Sequence, residues 1–206
     1  GYTKIAFDSL QAKCAGRLMN HSADSLFRHR IELIPNCGHS IDYSLTTPWL
    51  KTYKRNPYPH TFMWEDYPMD GQRRQGFYNL YVMKRPKAAD GLKDASGEDR
   101  DYYEMDIQDN VIRLSVKKVT YQTLERDPVY GIDLKFAKSY HPTSGGKWKI
   151  YLNDQLVDMN RPVTVFINDR KAFEGKLVPR MEDMITSCME YFDPCRVFPA
   201  SVDVAL

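Results

Sequence analysis

The sequence lacks several patterns that would point directly to a function. Its 206 residues contain no apolar run of the roughly 18–20 residues that a membrane-spanning helix needs. The four cysteines form no C-x-x-C pair, and the five histidines show neither H-E-x-x-H nor H-x₃₋₅-H spacing. The acidic segments lack the alternating pattern of a calcium loop. We therefore expect no membrane partner, no metal site and no cofactor.

The chain also has almost no excess of one sign of charge over the other. The chain has 29 lysines and arginines against 27 acidic residues, which gives a formal net charge of +2. A protein that binds nucleic acid by electrostatics usually shows a pI above about 9 and a basic stripe, whereas the pI here is about 8.3. The basic clusters Arg73-Arg74 and Lys84-Arg85-Pro86-Lys87 are short and isolated. These features argue against a nucleic-acid partner.

Aromatic and turn-forming residues, in contrast, are plentiful. Aromatic residues make up 13% of the chain, with 14 tyrosines, and there are 12 prolines. From residue 61 onward, short strand-like segments alternate with turns rich in Gly, Pro, Asn and Asp. This spacing is typical of β-sandwiches and barrels.

A single helix is predicted to interrupt these strands, over residues 179–192. Acidic residues in its first turn suit a helix N-terminus, and side chains spaced three or four residues apart form an apolar stripe. We expect this stripe to be buried against a sheet. Its members are Met181, Met184, Ile185, Cys188 and Phe192.

The first part of the chain is organised differently, with helix and strand in alternation. Residues 3–20 have an apolar face with helical spacing, and residues 31–34 form a predicted strand that a proline ends. After a turn-rich loop, a second helix is predicted to begin at Thr46 or Thr47, with a proline in its first turn.

The turn-rich loop resembles the histidine loop of α/β-hydrolases. The residues that carry the resemblance are Gly38-His39-Ser40-Ile41-Asp42-Tyr43, then Thr47-Pro48-Trp49-Leu50, Arg55-Asn56-Pro57-Tyr58-Pro59 and Trp64-Glu65. The string is similar to one in a subgroup of large secreted bacterial serine hydrolases. Those proteins end in a β-rich domain with sequence segments similar to Ile150-Tyr151-Leu152-Asn153 and Arg161-Pro162-Val163-Thr164-Val165.

The resemblance implies an α+β chain of two domains. Residues 1–59 would be the helix-strand-loop-helix tail of an α/β-hydrolase domain, with His39 as the catalytic base. Residues 60–206 would be a mostly antiparallel, β-sandwich-like accessory domain with one inserted helix, in which residues 85–101 form a solvated loop. The parent would cleave an ester or amide by acyl transfer and would be secreted or periplasmic.

The nucleophile of such an enzyme is missing from the sequence. There is no G-x-S-x-G elbow and no oxyanion-hole loop, and we expect Asp42 to shape the loop rather than serve as the triad acid. The chain is therefore expected to be a C-terminal fragment that is inactive alone. Its expected partner is the rest of the parent hydrolase domain, although exposed strand edges could also pair in a homodimer.

Two alternatives stay open at this point. His39 could be a turn histidine that makes only local hydrogen bonds. The β-rich part could also be a non-catalytic module that binds a glycan or a protein, since exposed aromatic rings can stack on sugars. Tyr140-His141-Pro142 is the expected exposed cluster, whereas Trp64 and Trp148 lie inside alternating strands and are expected in the core.

Overall fold

The computed structural model describes Ser44 and residues 46–68, 71–89 and 100–206. The chain divides into two compact units, Gly1–Lys54 and Arg55–Leu206. Of the described residues, 50% lie in strands and 13% in helices. None of the helices in this part of the chain combines the length and the hydropathy that crossing a membrane requires.

The described part of the first unit is centred on one short helix, α1 (Thr46–Lys51). It begins where the sequence predicts, and Pro48 lies in its first turn, where a missing backbone N–H costs no hydrogen bond. The rings of Trp49 and Tyr53 pack edge to face with their centres 5.1 Å apart. The other predicted elements of this unit, including the strand and the histidine loop, lie outside the described residues.

The second unit is built from short strands, with one helix near its C-terminal end. Helix α2 (Met181–Tyr191) and a 3₁₀ turn (Pro194–Arg196) precede the last strand. The strands are β1 (Thr61–Asp66), β2 (Gly76–Phe77), β3 (Leu80–Lys84), β4 (Lys87–Ala88), β5 (Arg100–Gln108), β6 (Val111–Arg126), β7 (Asp133–His141), β8 (Thr143–Ser144), β9 (Lys147–Leu152), β10 (Val163–Ile167), β11 (Arg170–Gly175) and β12 (Ala200–Ala205).

These strands form two main sheets. The larger has six strands in the order β1-β5-β6-β10-β11, with β7 also paired to β6. Its pairs are antiparallel except for β6 with β10, which is parallel. The smaller has the order β12-β9-β3-β2 and is antiparallel. Strands β4 and β8 form a separate pair, and β4 falls inside the segment that the sequence predicts as a solvated loop.

The hydrophobic core lies where the inner faces of the two sheets meet. Alternate residues of β5, β6 and β10 enter it from the larger sheet, and alternate residues of β3, β9 and β12 enter it from the smaller. Trp64 and Trp148 are 7% and 0% exposed, which confirms their predicted place in the core. Helix α2 covers the opposite face of the smaller sheet, where the Tyr151 ring stacks on Phe198.

The predicted fold class is wrong. The described residues are mostly β with mixed sheets, and they show no helix-strand-loop-helix tail of an α/β-hydrolase. The larger sheet is not simply antiparallel, because β10 runs parallel to β6. Turn residues signal hairpins between neighbouring strands, whereas a parallel pair is joined by a long crossover that leaves no turn signal in the sequence.

Strands β6 and β7 continue past the sheet as a two-stranded ribbon, residues 120–138. Pairing of β6 with β5 ends at Val119, but its pairing with β7 continues to Arg126. At the tip, the Asp127 carboxylate accepts the backbone N–H groups of the two residues that follow Pro128. Large apolar side chains of this ribbon are exposed: Leu124, Val129, Tyr130, Ile132, Leu134 and Phe136.

The expectation that α2 buries its apolar stripe is also wrong. Met181, Ile185 and Phe192 are 70%, 52% and 89% exposed, and Cys188 is an exposed free thiol. The buried residues of the helix are instead Asp183 and Ser187. The stripe therefore faces solvent, although its spacing is that of a buried face.

Hydrogen bonds explain why the polar face is the buried one. The Ser187 hydroxyl donates to the Asp183 carbonyl at 2.7 Å and accepts the backbone N–H of Phe198 at 3.0 Å. The Asp183 carboxylate accepts the hydroxyl of Ser201, on β12, at 2.7 Å. A buried N–H must find an acceptor, so Ser187 and Asp183 satisfy groups that an apolar face would leave unpaired.

We predict that replacing a buried polar residue of α2 costs more stability than replacing an apolar residue of its exposed stripe. Ser187→Ala leaves the buried Phe198 N–H without an acceptor and should lower the free energy of unfolding by about 1–3 kcal/mol. Ile185→Ala, at an exposed position, should change it by no more than about 0.5 kcal/mol. Urea unfolding of both variants measures the difference. A loss of about 2 kcal/mol or more for Ile185→Ala would show that the stripe is buried after all.

Candidate functional site

The predicted catalytic base, His39, lies outside the described residues, so its role stays a prediction. Of the described histidines, His60 hydrogen bonds through Nε2 to the Gln155 carbonyl at 2.9 Å. His141 pairs through Nε2 with the Thr120 hydroxyl, also at 2.9 Å. In the part of the chain that the structure describes, no three His, Cys, Asp or Glu side chains gather as a metal site would require.

A groove opens on the outer face of the larger sheet, where the edge of β6 passes from one partner strand to another. Strand β10 pairs with β6 as far as Leu114, and β7 pairs with it from Lys118 onward. Between them, the Asn168 side chain takes the place of a strand. Its oxygen accepts the Val116 N–H at 2.8 Å, and its nitrogen donates to the Val116 carbonyl at 3.1 Å.

The backbone of Asn168 makes this bridge possible. Its φ of 46° lies in the left-handed region, which asparagine adopts more readily than most other residues. The turn directs the chain away from β6 immediately after β10, and Asp169 continues it with a φ of 65°. The sheet is thus split at this point, and the split forms one side of the groove.

Strand alternation supplies the floor of the groove. Leu114 and Val116 are buried, so their neighbours on β6 point outward. The groove has a volume of about 490 Å³, which is within the range of small-ligand pockets. Its side chains come from β6, from the end of β7 and from the end of β10: Arg113, Ser115, Lys117, Tyr140, His141, Pro142, Phe166, Asn168 and Asp169.

Each of the two cations in the groove is held against an aromatic ring. The Arg113 guanidinium lies 4.9 Å from the centre of the Phe166 ring, and the Lys117 ammonium lies 5.5 Å from the centre of the Tyr140 ring. Such contacts are worth about 0.5–1 kcal/mol at exposed sites. Neither cation forms an ion pair with a carboxylate in the described residues.

A neighbouring lysine on the same face is, in contrast, fully occupied. The Lys138 ammonium lies between the rings of Tyr102, Tyr121 and Tyr140, at 5.3, 5.6 and 5.1 Å from their centres. It also forms an ion pair with Glu65. Burial opposes its charge, but hydrogen bonds to Glu65 and Tyr140 outweigh that effect and raise the pKa of Lys138. This cluster extends the aromatic surface beside the groove and leaves no charge free for a ligand.

A second polar cluster is buried between the sheets and is structural. Three neighbouring strands place Asp66, Asp101 and Lys118 in one row on the inner face of the larger sheet. Asp101 and Lys118 form an ion pair at 2.5 Å, and Arg73 and Arg85 approach both carboxylates from the loops. Burial raises the pKa of Asp66, and the Arg85 guanidinium opposes that rise.

We predict that breaking this row destabilises the domain strongly. Asp101→Asn removes the buried carboxylate that Lys118 and the two arginines approach, and it should cost about 3–5 kcal/mol of unfolding free energy. Adding Lys118→Met should recover about 1–3 kcal/mol, because the ammonium that Asp101 neutralised is then removed as well. Glu174→Gln is the control, since it breaks an exposed pair with Lys171, and it should leave stability unchanged. Denaturant unfolding of the four proteins tests this, and equal losses for Asp101→Asn and Glu174→Gln would contradict it.

The sequence predicted one wall of the groove but not the rest. Tyr140 is 47% exposed and lines the groove with His141 and Pro142, as expected for the exposed aromatic cluster. Arg113 and Lys117 could have been found from the alternation of residues 111–117, which places them with Ser115 on the polar face. Phe166 and Asn168 carried no such signal, because their position depends on the parallel pairing of β10 with β6.

Comparisons of the chain with protein-family models, with curated proteins and with solved structures found no match. The α/β-hydrolase resemblance therefore depends on the residues quoted for it. The function of the described domain has to be inferred from its side chains and their geometry.

Proposed function

We propose that the chain is the C-terminal part of a serine hydrolase that cleaves esters or amides by acyl transfer. In this proposal His39 is the general base, and the second unit is a non-catalytic accessory domain. The supporting observation is the run from Gly38 to Leu50, in which the Gly-His loop sequence leads directly into helix α1 with Pro48 in its first turn. Secretion belongs to the same proposal, since the resemblance is to secreted proteins.

The chemistry assigned to His39 requires partners from outside these 206 residues. A general base must lie within hydrogen-bond reach of the nucleophile hydroxyl and have a pKa near the working pH, which an imidazole provides. The sequence contains no G-x-S-x-G elbow to carry that hydroxyl. The serine, the acid and the oxyanion-hole donors would therefore belong to the rest of the hydrolase domain.

The described residues of the second unit are compatible with an accessory role. Its buried Asp66, Asp101 and Lys118 are engaged with one another and with two arginines, which is a structural use of charge.

We propose that a protein surface covers the exposed apolar ribbon, residues 120–138, as is usual for patches of this kind. The proposed occupant is the rest of the parent hydrolase domain. Hydrogen exchange of residues 120–138 should then be slower in the longer protein than in this chain alone.

We predict that the chain itself shows no esterase activity. Without a nucleophile elbow, an imidazole has no activated serine to deprotonate, so release of nitrophenol from short-chain p-nitrophenyl esters should not exceed the buffer blank. Turnover that survives a second purification, and that a serine-directed fluorophosphonate abolishes, would contradict the fragment hypothesis.

In the longer protein that includes the hydrolase domain, His39→Ala should abolish turnover. Removing a triad member costs about 10⁴-fold or more in kcat, while the circular dichroism spectrum should be unchanged. His60→Ala is the matched control, because the His60 ring hydrogen bonds to the Gln155 carbonyl within the second unit, and it should retain full activity. Retention of most of the rate by His39→Ala would overturn the assignment of this histidine.

A further inference from the structure

We propose that the groove on β6 binds an acidic polysaccharide, with the carboxylates of uronic acid residues paired to Arg113 and Lys117. This is a binding site in the accessory domain and goes beyond the proposed hydrolase function. It does not depend on that function, since the groove is formed entirely by residues of the second unit.

The first argument is the state of the cations on this face. Lys138 is paired with Glu65, and Lys171 is paired with Glu174. Arg113 and Lys117, which line the groove, form no ion pair in the described part of the chain. Their side chains are nevertheless held in place by Phe166 and Tyr140. Two prepositioned, unpaired cations favour an anionic ligand, because little side-chain entropy is lost on binding.

The second argument is the spacing of the two charges. Arg113 and Lys117 lie four residues apart on one strand and point to the same side of it, which places them roughly 13 Å apart along β6. Ser115 lies between them with its side chain on the same face. An extended chain with repeated carboxylates can reach both cations at once, whereas a single small anion can reach only one.

The third argument is that the groove also contains hydrogen-bonding groups that suit hydroxyls. Asp169 borders the groove and forms no ion pair within the described residues, so its carboxylate is available to accept hydroxyl protons. Ser115 and the Tyr140 hydroxyl can donate or accept. A uronate sugar offers both carboxylates for the cations and hydroxyls for Asp169. A DNA backbone carries anionic charge but has no hydroxyl donors along it for Asp169 to accept.

Tyr140 contacts Lys117 and Lys138 through its ring but stays exposed enough to support the same ligand class. Nearly half of Tyr140 is exposed, and its ring packs against Tyr102 with the ring centres 5.0 Å apart. Aromatic rings that are fixed by neighbours provide rigid surfaces for the apolar face of a sugar ring. The Tyr102–Tyr140 pair thus extends the groove at the end where Lys117 would hold a carboxylate.

The experiment is affinity gel electrophoresis of this chain in gels that contain one polymer at a time. The probes are polygalacturonate, alginate and glucuronan as polyuronates, fully methyl-esterified pectin as the uncharged counterpart, and poly-L-glutamate and oligo-dT as unrelated polyanions. We expect at least one polyuronate to retard the chain, with methyl-esterified pectin, poly-L-glutamate and oligo-dT having little effect.

Variants locate the binding. Arg113→Ala/Lys117→Ala should weaken polyuronate binding by at least about tenfold, since two charge-assisted contacts are lost. Lys176→Ala/Arg180→Ala is the charge-matched control on another surface, and it should bind as the parent chain does. Ser115→Glu removes no cation but places a carboxylate between the two, so it should also abolish binding. If the double alanine variant loses its native near-UV circular dichroism, Ser115→Glu decides the test.

Three results would overturn the proposal. One is that none of the three polyuronates retards the chain. Another is equal retardation by poly-L-glutamate or oligo-dT, which would show a general response to polyanions. The third is unchanged binding in the folded Arg113→Ala/Lys117→Ala or Ser115→Glu variants. Because these measurements use the chain alone, they are independent of the His39 test in the longer protein.

Discussion

The backbone of β6 has more hydrogen-bonding groups along one edge than either of its partners on that edge can satisfy. Strand β10 pairs with its first residues and β7 with its later ones, and the two partners run in opposite directions relative to β6. Val116 lies between them, and its N–H and carbonyl would be left without strand partners. The Asn168 amide binds both groups, and the Thr143 hydroxyl donates to the same carbonyl. Because an amide can donate and accept at once, one side chain replaces the missing strand residue.

The position of the groove follows from this arrangement. Two strands that met end to end would have left a continuous sheet surface, whereas the turn at Asn168 and Asp169 separates β10 from β7. The separation leaves Arg113, Ser115 and Lys117 as a strip of polar floor between two aromatic walls. A structural requirement of the backbone therefore produces a concave surface with charges that the protein itself does not neutralise.

The inner face of the same sheet shows how a polar group can be retained inside a hydrophobic core. Asp66, Asp101 and Lys118 occupy positions that strand alternation assigns to the interior. They are tolerated because each charge is paired, with the two arginines reaching the carboxylates from loops beside the sheet. The pairing holds those loops against the sheet, a role that apolar residues of similar size would not perform.

The sequence was informative where structure depends on neighbours along the chain. Alternation placed Trp64 and Trp148 in the core, the proline signal placed α1, and the turn residues placed the boundaries of β1 and β9 closely. It failed where structure depends on distant partners. The stripe of α2 had the spacing of a buried face, yet the groups beneath the helix required Ser187 and Asp183. The parallel pairing that completes the groove had no local signal either, so Phe166 and Asn168 could not be assigned to a site.

The parallel pair has a kinetic consequence. Strands β5, β6 and β7 follow one another, so their pairing needs only short loops to close. Thr164 must instead find Val111 after β7, β8 and β9 have been passed, and closing a long loop costs more chain entropy before any contact compensates for it. We therefore expect β10, and with it Asn168, to join the sheet late in folding. A species with only the β5-β6-β7 meander would have both cations but no Phe166 wall, so a ligand of the groove would bind the native state selectively and slow its unfolding.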